Sequence, residues 1–139
     1  MSVPAQSYAQ YQAANGPEWL LRIGDPEAAP ILFVPPLFEE MNRTRALLVA
    51  TMRGLAADGH CCWLPDLSGT GESLTSLPEA KWDDWRHDVT NASKHVAVAH
   101  GQAPLIAAIR GGCLLDDAAT GSGHWRFAPV PGASLAYDE

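Results

Sequence analysis

The residues of this chain best placed for chemistry stand in three loops, each leaving an apolar run. The first, Pro35-Pro36-Leu37-Phe38-Glu39-Glu40-Met41-Asn42, leads from Ile31-Leu32-Phe33-Val34 into a helical pattern. In an acyl-transfer site such a loop supplies a backbone N–H to an oxyanion, and because proline has no N–H the donor is Leu37 or Phe38. Glu39 and Glu40 equally suit a helix N-terminus, where the peptide dipoles favour carboxylates. The second loop, Asp66-Leu67-Ser68-Gly69-Thr70-Gly71-Glu72-Ser73, follows Cys61-Cys62-Trp63-Leu64. It is not a phosphate loop, since the lysine of G-x-x-x-x-G-K-[ST] is missing, and no G-x-G-x-x-G opens a helix elsewhere. The third, Ala108-Ile109-Arg110-Gly111-Gly112, puts an arginine among small residues. A guanidinium stays protonated and cannot attack a carbonyl, but it holds carboxylates and phosphates through paired hydrogen bonds.

Other candidates carry less. Cys61 and Cys62 are adjacent and Cys113 lies far along the chain, so there is neither a C-x-x-C pair nor an even disulfide framework. On a strand the adjacent pair points to opposite faces, and buried free thiols are expected. The histidines, His60, His87, His95, His100 and His124, form no H-E-x-x-H and no i, i+4 pair. They read as helix and turn side chains on a solvated surface, and neither a metal nor any other cofactor is expected. Ser122, within Gly121-Ser122-Gly123, reads as a turn.

The elements that must position these loops follow from periodicity and punctuation. YAQYQAANG and PEWLLRIGD predict two short strands around Asn15-Gly16, a hairpin over about 8–24. Ile31–Val34, Cys61–Leu64 and Leu105–Ile109 are continuous apolar runs, the pattern of strands buried on both faces of a parallel sheet. Between them, Glu39 to about Ala57 and Trp82 to about His100 carry apolar residues at three-to-four-residue spacing, closed by Asp58-Gly59 and by Gly101. A short helical piece, Cys113 to Ala119, and a strand, His124 to Val130, complete a core over about 31–130, with a short tail over 131–139. This order predicts one α/β domain, a mainly parallel sheet flanked by helices, with chemistry at the carboxyl ends of the strands.

Two of the loops carry a resemblance. D-L-x-G-x-G-x-S after an apolar strand resembles the loop that follows the fourth strand of the α/β-hydrolase superfamily. In that superfamily the next strand ends in the nucleophile elbow G-x-S-x-G, whose small flanking residues relieve crowding. Here Ala108 and Gly112 match the small positions, and Arg110 occupies the nucleophile's place. Shifting the register to make Cys113 the nucleophile puts Leu115 where a small residue is needed. Taken together, PPLFEEMNRTR, LPDLSGTGES, KWDDW, IRGGCLL and HWRFAPVPG are similar to successive landmarks of the exosortase A system-associated hydrolases of the hydrolase 2 type. The resemblance runs from about Ile31 to Gly132, and that family also shows arginine at the elbow. It implies the N-terminal half of an α/β-hydrolase-like fold from a bacterium. The superfamily's acid and histidine come near its seventh strand and after its eighth; Asp138 and His124 fit neither role.

Composition narrows the function further. The chain has 139 residues, 47% of them apolar, and 9 basic against 16 acidic residues give a net charge of -7. With no Lys/Arg cluster, nucleic acid and anionic membrane surfaces are disfavoured as partners. No apolar run reaches the roughly 18 residues of a bilayer span, and the N-terminus lacks a signal-peptide pattern, so a cytoplasmic protein with no membrane insertion is expected. The functional expectation is a hydrolase-fold protein without serine-hydrolase catalysis of its own, in which Arg110 clamps a small anionic ligand or a carboxylate of Glu39, Glu40 or Asp66. The alternative is an ester or thioester hydrolase completed by an oligomeric partner or a non-standard nucleophile. A homodimer through the C-terminal edge strand or an exposed sheet face is also expected, because an uncovered sheet edge invites pairing.

Overall fold

A computed structural model describes residues 5–36, 39–67 and 82–127 of the chain, with side chains throughout except at 39–43. Leu37 and Phe38, the expected oxyanion donors, lie outside the described residues, as does the loop from Ser68 onward. Strands β1 (Gln6–Ala13) and β2 (Gly16–Ile23) form the expected hairpin. Its loop is Ala14-Asn15, one residue earlier than Asn15-Gly16, because Gly16 already pairs with Ala13. The chain continues through β3 (Ala29–Val34), α1 (Glu39–Ala57), β4 (His60–Pro65), α2 (Trp82–His100), β5 (Leu105–Ile109), two 3-10 turns (Arg110–Leu114 and Asp116–Ala118) and β6 (Gly123–Phe127).

The six strands make one sheet in the order β1-β2-β4-β3-β5-β6. β1, β2 and β4 pair antiparallel, whereas β4, β3, β5 and β6 run parallel. Strand alternation divides the core in two. Leu32, Val34, Cys61, Trp63, Ile106 and Ala108 face α2 and its Trp85, Val89 and Val96. Ile31, Phe33, Cys62, Leu64 and Ala107 face α1 and its Leu48 and Met52. Cys61 and Cys62 therefore do point to opposite faces, buried and free.

The hairpin is tied to this frame by two polar contacts, one part-buried and one buried. The backbone N–H of Ala14 donates to Asp88 of α2 at 2.7 Å, and the Tyr11 hydroxyl donates to the Asp66 carbonyl at 2.6 Å. Burial, with Asp88, Glu18 and Asp66 nearby, pushes the Tyr11 phenol well above its ordinary value. The parallel register, Ile31 with Leu105 and Leu32 with Trp63, aligns the carboxyl ends of β3, β4 and β5. Pro35-Pro36, Asp66 and Arg110 consequently emerge along one edge of the sheet.

Candidate functional site

Arg110 stands one residue beyond β5, at the turn from strand to helical backbone. Ile109 is extended, with φ −120° and ψ 122°, while Arg110 has φ 51°, the one non-glycine residue of positive φ among those described. The left-handed region costs an L-residue roughly 1–2 kcal/mol. That strain is tolerated here because the next turn cannot move away: a β-carbon on Gly112 would lie 2.4 Å from the Val34 carbonyl oxygen and 2.6 Å from that of Pro35. The small residues noted in the sequence thus have a geometric reason, since the helical turn rides directly on the end of β3. The result is a sharp strand-to-helix elbow whose apex side chain is a guanidinium.

The far side of the elbow is clamped to β6. Asp116 is fully buried, and its Oδ2 accepts from Arg126 Nε at 2.8 Å and faces His124 Nδ1 at 3.0 Å. His124 and Arg126 are two apart on a strand and so share a face, which brings both onto one carboxylate. His124 is exposed, in keeping with the solvated reading of the histidines, with this carboxylate as its partner. That reading needs correction at His100, which is half-buried and whose Nε2 accepts from the Trp63 indole at 2.9 Å. Burial lowers the His100 pKa, a shift opposed in part by a hydrogen bond with the Ala28 backbone. Cys113 turns back into the structure, its thiol 3.6 Å from the Ala108 carbonyl. Burial and the nearby Asp116 raise the Cys113 pKa, the opposite of what a nucleophilic thiol needs.

Asp66, at the end of β4, is buried and held in place from two sides. Its backbone N–H donates to the Trp19 carbonyl at 2.9 Å, and Arg45 Nη1 approaches its Oδ1 at 3.4 Å. Arg45 was not among the residues singled out from the sequence, although it falls within the PPLFEEMNRTR landmark, one helical turn beyond Asn42. The carboxylates of Glu39 and Glu40 lie outside the described side chains. Among the described residues, no group of three or more His, Cys, Asp and Glu side chains is arranged to hold a metal ion. No described helix is long and apolar enough to cross a membrane.

A sheet of this strand order with a positive-φ elbow after β5 has the fold of the α/β hydrolases. Solved structures of that fold superpose on the chain. A serine hydrolase without a lid from Xanthomonas campestris gives a TM-score of 0.73 at 16% identity, over 91% of this chain and 62% of that one. The esterase Est22 gives 0.68 at 14% identity over 94% of this chain and 46% of its own. A hydrolase structure from Agrobacterium vitis S4 gives 0.61 at 14% identity over 94% and 54%. The chain thus spans less than two thirds of the length of each of these proteins. No protein-family model and no curated protein matches it.

Proposed function

We propose that this is an anion-binding protein of the α/β-hydrolase fold, related to the exosortase-associated hydrolases, that does not carry out serine-hydrolase chemistry by itself. The observation that carries this reading is Arg110 at φ 51° on the elbow apex. A strained turn that presents a nucleophile in an acyl-transfer enzyme here presents a permanent cation. Guanidinium supplies five N–H donors in a planar fork, enough to take a carboxylate or phosphate beside a protein partner. Cys113, three residues on, is turned inward with a raised pKa and offers no substitute nucleophile.

The ligand class that fits is a small carboxylate or phosphate arriving at the carboxyl ends of β3, β4 and β5. Arg45 and Asp66 flank that edge, and Glu39 and Glu40 are the further members of the carboxylate network proposed from the sequence. The link to exosortase-associated proteins rests on the sequence landmarks from Pro35 to Gly132. Incubation with a fluorophosphonate probe and with p-nitrophenyl esters tests the catalytic half of the reading. The expected outcome is neither a covalent adduct nor turnover. Labelling of Ser68, Ser73 or Ser122 would instead favour ester hydrolysis by a non-standard nucleophile.

A further inference from the structure

Asp116, His124 and Arg126 form a cluster that a structural clamp alone does not explain. In the parallel register His124 lies beside Ile106 and Arg126 beside Ala108, so both side chains stand on the face of β6 opposite to Trp125 and Phe127. Both point at the same atom, Asp116 Oδ2, which lies 3.0 Å from His124 Nδ1 and 2.8 Å from Arg126 Nε. The other carboxylate oxygen, Oδ1, is buried and has no hydrogen-bond partner. A clamp built for stability would share the two oxygens between the two donors. Buried polar atoms left unpaired are rare and destabilising, so the cluster holds this arrangement at a cost.

What the arrangement fixes is the imidazole. An ionised carboxylate only accepts hydrogen bonds, so Nδ1 carries the ring proton and the neutral ring keeps its lone pair on Nε2. Asp116 is fully enclosed while the His124 and Arg126 residues are exposed, so the ring is held from the inside. Such a carboxylate raises the basicity of the opposite nitrogen and stabilises the imidazolium that forms when Nε2 takes up an electrophile. Of the other described histidines, His100 has its Nε2 lone pair engaged by Trp63, and none has a carboxylate hydrogen-bonded to its ring. Arg126 uses Nε on Asp116, and its Nη groups remain as donors on the same face. A guanidinium there repels a metal ion but suits an electrophile that carries negative charge of its own, as a phosphoryl group does.

We propose that His124 is a phosphoryl-accepting histidine: Nε2 takes the phosphoryl group of a small anionic donor, Arg126 binds its oxygens, and Asp116 is the positioning residue. With phosphoramidate as donor, the Nε2 lone pair forms the new N–P bond. The donor's own P–N bond breaks, and its electron pair leaves with ammonia. Nδ1–H stays on Asp116, whose negative charge offsets the positive ring, and nothing is oxidised or reduced. Arg110 takes no part in this step.

Treatment of the native chain with phosphoramidate, followed by tandem mass spectrometry and phosphorus NMR, tests it. His87 is exposed and has no carboxylate on its ring, which makes it the internal reference. The expected result is phosphorylation of His124 roughly tenfold or more faster than of His87, at Nε2 alone, in an adduct labile to acid and stable to base. Arg126→Gln keeps an N–H for Asp116 but loses the cation, and it slows labelling of His124 severalfold while Arg126→Lys restores part of the rate. Asp116→Asn isolates the positioning role: in the folded variant the phosphoryl group spreads over both ring nitrogens, which looser packing alone would not cause. Equal rates at His124 and His87 in the wild-type chain overturn the proposal whatever the variants do. So does an adduct at Nδ1 of His124, or labelling that Arg126→Gln leaves unchanged.

Discussion

At the scale of single residues the account turns on how one backbone torsion is held. Arg110 at φ 51° is strained, and what keeps it there is the turn that follows, seated through Gly112 on the Val34 and Pro35 carbonyls. Gly112→Ala is therefore expected to destabilise the protein by about 2–3 kcal/mol, since the atoms it would strike are backbone and cannot rotate aside. Urea denaturation followed by circular dichroism measures this, and a loss under half a kcal/mol would mean that the elbow has room the geometry denies. Arg110, Gly111 and Gly112 were legible in the sequence, because small residues beside a bulky one at a strand end form a local pattern. Arg45 on Asp66 and the pair His124 and Arg126 on Asp116 were not. Each joins residues from separate elements, and nothing in the spacing of Asp116, His124 and Arg126 shows that two 3-10 turns lay one against the others.

Among the elements, those with strong periodicity were read correctly. α1 and α2 occupy 39–57 and 82–100 as expected, because apolar residues recur at helical spacing and Gly59 and Gly101 stop them. The short helical piece expected from Cys113 to Ala119 takes the form of two 3-10 turns, the first beginning earlier, at Arg110. The small residues that allow the elbow also favour a tight turn over a continuous helix. Pairing of β2 with β4 rather than with β3 was illegible, since both are apolar runs and only the packed sheet chooses between them. The hairpin's position depends on tertiary hydrogen bonds, of which Tyr11 to the Asp66 carbonyl is buried. Tyr11→Phe leaves that carbonyl without its donor and should cost about 1–2 kcal/mol in chemical denaturation. The same substitution should raise hydrogen exchange in the hairpin and at 66–67 more than in β5; uniform exchange would show that the hydroxyl does not hold the two together.

For the molecule as a whole, the buried protonated groups set a pH dependence. Burial pushes the Cys62 thiol up to about 12 from an ordinary 9.0, and it pushes Tyr11 above its ordinary 10.0. In the unfolded chain these groups lose their protons at the ordinary values, while the folded chain keeps them. The unfolded state is then favoured as pH rises. Stability from these groups is full below about pH 8 and declines from about pH 9 toward 12. Urea midpoints measured at neutral and at alkaline pH should show a marked loss, with the fold retained at both; a midpoint that does not move would mean that water reaches the thiols in the native state. Iodoacetamide should likewise spare Cys61 and Cys62 until the chain unfolds, because both are buried in the sheet.

The central claim, that the elbow presents an anion-binding cation in place of a nucleophile, is tested most directly by thermal unfolding with added phosphate and small dicarboxylates at matched ionic strength. Ligand at about ten times its Kd stabilises the folded state by roughly 1.4 kcal/mol, a shift of several degrees for a domain of this size. The account predicts that shift for the wild-type chain and its loss in Arg110→Gly, a variant that accepts φ 51° without strain and so remains folded. No shift with any anion, or an equal shift in both proteins, would contradict it.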